Sequence, residues 1–197
     1  MRRISLVLAS NNQYKVTEIR KILPKCFDLV SLKDAGITSE LPESKGTILG
    51  NATQKADFVW RATCIECLAD DSGLEVEALE GRPGVDSAHY SGFPISADRN
   101  MELVLSQLKG LENRRASFVT ILALIQEGVC YHFEGRVFGT ISEEKRGKNG
   151  FGYDPIFIPD GQSLTFAEMD EKRKNKISHR ALALGKLKEF FDLNAEN

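Results

Sequence analysis

Cys67-Leu68-Ala69-Asp70-Asp71-Ser72-Gly73-Leu74-Glu75-Val76-Glu77-Ala78-Leu79 is the stretch on which the fold turns. A short apolar run leads into two adjacent acids, and apolar and acidic residues alternate after Gly73. The pattern predicts a strand, a tight turn at residues 70–73 and a second strand, with Gly73 supplying the bend. Adjacent carboxylates repel unless a cation stands near them. A hard cation such as Mg²⁺ takes oxygen ligands and shares them with substrate phosphates. One acid can then hold the ion while its neighbour takes a proton from an attacking water. A solvated acidic turn uses the same residue types, so the motif needs support from the rest of the chain.

The 197 residues make one domain or two small lobes, with length enough for a sizeable core. A hydrophobic share of 42% and a charged share of 27% belong to an ordinary water-soluble protein. With a formal charge of −2 the chain has no general basic field for nucleic acid or anionic membrane, so anion binding must come from local placement of Lys and Arg. The apolar run 4–9 is too short to span a bilayer, which makes a cytoplasmic location the expectation. Cys64 and Cys67 have C-x-x-C spacing, but no second pair completes a zinc site, and the pair lies late in a helical stretch rather than between a strand and a helix. Reduced, partly buried thiols are expected, with Cys26 and Cys130 in the same class.

Upstream, residues 2–9 predict an opening strand and residues 16–23 a helix that places Val16, Ile19 and Leu23 on one face before Pro24. Ser10-Asn11-Asn12-Gln13-Tyr14-Lys15 lies between them, where α/β proteins hold phosphates on free backbone N–H groups. Ser and Asn also cap helices with no ligand present, and both readings stay open on position alone. No dinucleotide fingerprint or Walker A sequence accompanies the loop; Gly147-Lys148 is followed by Asn149. Residues 28–42 read as a strand and a loop. A second helix is expected over residues 51–66, with Ala52, Ala56 and Val59 inward and Lys55 near its start.

Downstream, residues 99–109 have helical spacing, and residues 116–125 and 129–139 read as a hairpin about Gln126-Glu127-Gly128. Gly147-Lys148-Asn149-Gly150-Phe151-Gly152-Tyr153-Asp154-Pro155 sets glycines around two aromatics, which lets backbone approach a flat group such as a purine; a structured turn with buried aromatics reads equally well. Ile156-Phe157-Ile158 is a short strand. Lys172-Arg173-Lys174-Asn175-Lys176 supplies four cations in five positions. Ser178 is expected to cap a last helix whose apolar face carries Leu184, Leu187 and Phe191. His179 and Arg180 then fall in the first turn, where the helix dipole disfavours positive charge, so an anionic or hydrogen-bonding partner is expected there.

Three groups of residues together carry a resemblance to a known family. They are Leu8-Ala9-Ser10-Asn11-Asn12 with Lys15; Ala69-Asp70-Asp71-Ser72-Gly73-Leu74-Glu75-Val76 with Pro83-Gly84-Val85 and Ser87-Ala88; and Gly150-Phe151-Gly152-Tyr153-Asp154-Pro155 with Thr165-Phe166-Ala167-Glu168-Met169 and Lys174-Asn175-Lys176-Ile177-Ser178-His179-Arg180. In this order they resemble the noncanonical purine nucleoside triphosphate pyrophosphatases of the Ham1 type, the enzymes that cleanse the nucleotide pool of ITP and XTP. The resemblance implies an α/β fold of a single domain over residues 1–197: an elongated, two-lobed molecule with a long bent mixed β-sheet, flanking helices and a central nucleotide cleft. It also implies a homodimer.

The implied reaction is hydrolysis of ITP, dITP or XTP to the monophosphate and pyrophosphate, with water attacking the α-phosphorus and Mg²⁺ as cofactor. Carried over by position, Glu43 and Asp71 match the metal ligands, and Asp71 the proton acceptor, with Asp70 near enough to share that work. Ser10, Asn11, Asn12, Gln13, Tyr14 and Lys15 match the triphosphate loop; Lys55 and Ser72 match substrate contacts. Phe151, Gly152, Tyr153, Asp154, Lys174, His179 and Arg180 match the base-side pocket. Inosine and xanthine present a 6-oxo acceptor where adenine presents an amino donor, so donors from His179, Arg180 or backbone N–H would leave ATP facing donor with donor. A site built to make such a bond can discriminate by ~10⁴-fold. Two positions depart from the family pattern: Gly50 stands where Glu is usual, and His89 where Arg is usual. A pyrophosphatase for other modified nucleotides, or a nucleotide-binding sensor without turnover, would use many of the same residues.

Overall fold

The computed structural model describes residues 4–23 and 27–194. Arg2, Pro24 and Cys26, which entered the strand, helix-stop and thiol expectations, lie outside the described residues. A six-stranded mixed sheet has the order β2-β1-β3-β4-β5-β6. Its strands are β1 (Ile4–Ala9), β2 (Phe27–Val30), β3 (Cys67–Val76), β4 (Arg115–Gln126), β5 (Val129–Ile141) and β6 (Phe157–Pro159). β1 runs parallel to both β2 and β3, and β5 antiparallel to β6. Helices α1 (Gln13–Ile22), α2 (Ile48–Thr63), α3 (Ala97–Gln107), α4 (Glu171–Ile177) and α5 (His179–Asn194) complete the chain. The α/β class and mixed sheet expected from the resemblance are therefore present. β4 and β5 meet at Glu127 and Gly128, both at positive φ (50° and 79°), the backbone that a two-residue hairpin loop requires.

The largest correction concerns β3. Residues 70–73 do not turn: Cys67–Val76 is one ten-residue strand that carries both acids in its middle. Pairing of Val7, Leu8 and Ala9 with Cys67, Leu68 and Ala69 fixes its register against β1. Two acids in a buried strand need cations, hydrogen bonds or a bound proton to offset their burial, and here each meets a cation, which a reading of local pattern does not show.

Helix starts also moved. Asn12 caps α1, its Oδ1 accepting from the Tyr14 and Lys15 N–H groups, so the helix begins three residues before Val16. Thr47 caps α2 through the Gly50 N–H, one turn earlier than Asn51, and Cys64 in left-handed conformation ends it at Thr63. Lys172-Arg173-Lys174-Asn175-Lys176 is helical: it forms most of α4, capped by Asp170 and followed by the extended Ser178.

The chain divides into two compact units. The first takes in residues 1–71, 120–135 and 180–197, and the second residues 72–119 and 136–179. In the first, Leu6, Leu8, Leu68, Leu122 and Leu124 of the strands pack with Val16 and Ile19 of α1 and Leu184 and Leu187 of α5. In the second, Leu74, Val76, Val104, Phe118, Ile156, Phe157 and Phe166 form the core.

Candidate active site

Successive side chains of a strand point to opposite faces, and this alternation separates the two central acids. Leu68 packs in the core with α1 and α5, and Asp70, two residues on, meets cations from those helices. Lys15 Nζ lies 2.5 Å from Asp70 Oδ1, and Arg180 Nε donates to Oδ2 at 2.7 Å. Arg180 also pairs with Glu18 of α1. Burial pushes the Asp70 carboxyl up, but Arg180 and Lys15 outweigh it and hold the group far below the usual carboxylate range. The guanidinium between its two acids is raised in turn, against the lowering effect of its own burial. Asp70 and Arg180 are each 1% exposed.

Asp71 faces the other side, toward α2. Lys55 Nζ donates to Asp71 Oδ1 at 2.8 Å, to the Asp70 carbonyl at 2.8 Å and to Glu43 Oε1 at 2.7 Å. Burial drives the Asp71 carboxyl up; Lys55 and Lys15 offset this only in part, and Glu43 adds to it. Burial lowers the Lys55 ammonium, yet Asp71 and Glu43 outweigh it and leave it raised. Two adjacent acids are thus driven apart: Asp70 down and Asp71 up. Such separation is what assigns unlike roles to like groups.

Glu43 lies in a loop without regular structure that α2 holds by side-chain bonds. Ser44 N–H donates to Gln54 Oε1 at 2.9 Å, and Lys45 N–H to Asn51 Oδ1 at 2.9 Å. A side chain at Gly50 would meet Lys45 Cβ at 2.6 Å and Thr47 Oγ1 at 2.8 Å, so this close loop requires the glycine that departs from the family pattern. Ser10, Asn11 and Asn12 connect β1 to α1, and Gln13, Tyr14 and Lys15 form its first turn. Ser10 Oγ accepts from the Asn12 N–H at 3.2 Å, and Asn11 through Tyr14 are exposed.

In the second unit, Lys174 is buried with its Nζ 2.7 Å from Asp154 Oδ2 and 5.0 Å from the centre of the Phe151 ring. The same Asp154 oxygen accepts from the Phe151 N–H at 2.8 Å and closes the turn through Gly152 and Tyr153. Tyr153 belongs to the core, where its hydroxyl donates to the Ser87 carbonyl at 2.9 Å and burial raises the phenol. Phe151 remains the half-buried ring of the pair. His179 stacks on Phe118 at 4.6 Å and 11°. Ser72 follows Asp71 in β3. His89 is exposed, 3.3 Å from Asp86 Oδ1.

Arg180, expected on the base side, has its guanidinium bound to Asp70 and Glu18. The anionic partner expected at the start of α5 is met by these internal acids. Glu18 and Phe118 were missed. Glu18 had a signal, an acid 8% exposed one residue before the inward Ile19; an acid beside a helix's apolar face calls for a cation. Phe118 had none beyond its strand.

Glu43 Oε1, Asp71 Oδ1 and the Asp70 carbonyl converge on one point, a hard-oxygen set that suits Mg²⁺ sharing its remaining ligands with phosphate and water. No group of three or more His, Cys, Asp or Glu among the described residues could hold a metal alone.

The site is thus a set of acids, most of them buried, paired with Lys and Arg at the centre of an α/β sheet. The Ham1 family profile matches residues 6–190. A dITP/XTP pyrophosphatase of Porphyromonas gingivalis is 48% identical over 186 residues, covering 94% of this chain and 96% of its own. One from Bacillus subtilis is 45% identical over 190 residues, covering 94% and 96%. The solved Ham1 protein of Staphylococcus aureus superposes with a TM-score of 0.89 at 36% identity, covering 98% of this chain and 100% of that one. The chain belongs to the Ham1 family.

Proposed function

We propose that the chain hydrolyses noncanonical purine nucleoside triphosphates, namely ITP, dITP and XTP, to the monophosphate and pyrophosphate. The observation that carries this reading is near-half identity, over almost the whole chain, to dITP/XTP pyrophosphatases. The geometry supplies the chemistry. Water attacks the α-phosphorus, the bond to the bridging oxygen breaks, and pyrophosphate leaves with the electron pair. Asp71 takes the proton from the water, the role that its position in the family pattern implies. Asp70 stays ionised and holds Lys15 and Arg180 in place. Glu43 and Asp71 would hold Mg²⁺, which when bound supplies charge neutralisation at the phosphoryl oxygens. Lys15, Lys55, Ser72 and the loop 10–14 take the phosphates, since positioned cations are the main means of stabilising charge that develops there.

For base recognition we assign Phe151 as the stacking ring, Gly152 as the point of close backbone approach, and His179 with backbone N–H groups as donors to the 6-oxo oxygen. Tyr153, Asp154 and Lys174 shape that turn. Arg180, which holds Asp70, completes the base-side set. A homodimer and a cytoplasmic location belong to the same reading and rest on the family resemblance and on the default for such enzymes.

A panel of ITP, dITP, XTP, ATP, GTP and modified pyrimidine triphosphates, with and without Mg²⁺, tests the proposal by pyrophosphate release. Release from the inosine and xanthine nucleotides, dependent on Mg²⁺, is expected. Preference for a pyrimidine, or tight ITP binding with no release, would replace it with one of the other two readings.

A further inference from the structure

Lys55 stands in the middle of α2, 4% exposed, with its ammonium on the oxygen set that suits a divalent cation. Its three acceptors are a carboxylate from the 40s loop at 2.7 Å and a carboxylate and a carbonyl from β3, both at 2.8 Å. An ammonium has three hydrogens, and each has an acceptor here. A divalent ion at the same point would sit within a few ångströms of that positive charge and compete for the same lone pairs. At that point the two cations would compete for the same oxygens.

We propose that Lys55 is the resident counter-cation of Glu43 and Asp71 in the metal-free protein, and that a divalent ion enters their oxygen set only by displacing it. This inference rests on the pyrophosphatase reading in one respect: the phosphates of the arriving nucleotide give the displaced ammonium new acceptors. The Glu43 side chain is 48% exposed and the lysine stem has four methylenes, so both can reorient while β3 stays fixed. Two consequences follow. The acids stay paired and buried without metal, and free Mg²⁺ binds poorly until a nucleotide is present. Metal and nucleotide then strengthen each other's binding by the same factor.

The test uses the full chain with Mn²⁺ alone, titrated by electron paramagnetic resonance in the absence of nucleotide. Lys55→Gln removes the internal cation and is expected to bind Mn²⁺ at least tenfold more tightly than the wild type. The double variant Lys55→Gln with Glu43→Gln is expected to lose that gain, which ties it to this oxygen set. Equal affinity in wild type and Lys55→Gln, or a gain that survives in the double variant, overturns the proposal. Thermal melting covers the case of a poorly folded variant: 10 mM Mg²⁺ is expected to raise the midpoint of Lys55→Gln and leave the wild type unmoved, and a variant that Mg²⁺ does not rescue overturns the proposal too. Pyrophosphate release from ITP by the wild type tests the underlying reading separately. Release together with equal Mn²⁺ affinities removes the Lys55 proposal alone, and absence of release together with the tenfold Mn²⁺ gain removes the pyrophosphatase reading alone.

Discussion

Asp70 and Asp71 are adjacent and chemically identical, yet the fold gives them opposite characters. Burial raises both, but Arg180 and Lys15 outweigh it at Asp70, whereas at Asp71 Lys55 and Lys15 offset it only in part and Glu43 adds to it. Replacement of Asp71 by Asn keeps shape and removes the proposed proton acceptor. Turnover should fall by about 10²–10⁴-fold, while ITP binding measured by calorimetry changes little. A rate near that of the wild type would move the proton to another group. His179→Ala should narrow the ITP-to-ATP ratio of kcat/KM, and an unchanged ratio would assign selectivity to backbone donors. Asp70, Asp71 and Lys15 stood out in the sequence by type and position, whereas Glu43 and Lys55 were singled out only through the family resemblance. The role of Arg180 was not legible, because its partner lies 110 positions away in the chain.

Elements owe their limits here to single side chains. Thr47 caps α2 and so starts the helix that carries Lys55, Asn51 and Gln54. Thr47→Ala should cost about 1 kcal/mol in urea unfolding. If the loop bearing Glu43 loosens with it, activity should also require more Mg²⁺. Gly150 has φ +74°, and a Cβ there would fall 2.0 Å from Asp154 Oδ2. Gly150→Ala should therefore break the Asp154 bonds to Phe151 and Lys174 and cost about 1–3 kcal/mol of stability. A variant as stable as the wild type, with its ITP preference intact, would show that the turn tolerates rearrangement. Existence of the hairpin, of α1, α2, α3 and of α5 could be read from apolar spacing and turn residues. The continuity of β3 could not, since Asp-Asp-Ser-Gly is turn chemistry wherever no cations are at hand. Nor was α4 recognised, because seven mostly charged residues carry no apolar period.

For the molecule as a whole, stability should fall at both ends of the pH scale. Asp70 has a folded-state pKa below its unfolded value of about 4, so the unfolded chain binds the extra proton there. Its contribution is complete above about pH 4 and is lost as pH falls toward the folded value. Asp71, raised in the fold, works in the opposite sense, which makes a comparison with Asp70→Asn the informative one. That variant takes the shared carboxylate from Lys15 and Arg180, leaving Arg180 paired with Glu18, and should lose about 3–5 kcal/mol at pH 7, with the difference from the wild type shrinking near pH 3. A constant difference in urea midpoints across this range would contradict the linkage. At the alkaline end, burial pushes the Cys67 thiol up to about 12 from 9.0, so the unfolded chain releases that proton first and stability declines as pH rises above about 9.

By itself the sequence determined the family, the α/β class, the order of most elements and the acids and cations proposed for the site. These depend on residue type and local spacing, which the chain displays directly. Tertiary structure alone decided which cation meets which acid, that the acids lie within a strand rather than at a bend, and that Lys55 rests on the oxygens suited to a metal. Each of these depends on strand alternation and on approaches between distant segments, and a charge in a strand takes its character from the partner that folding brings to it.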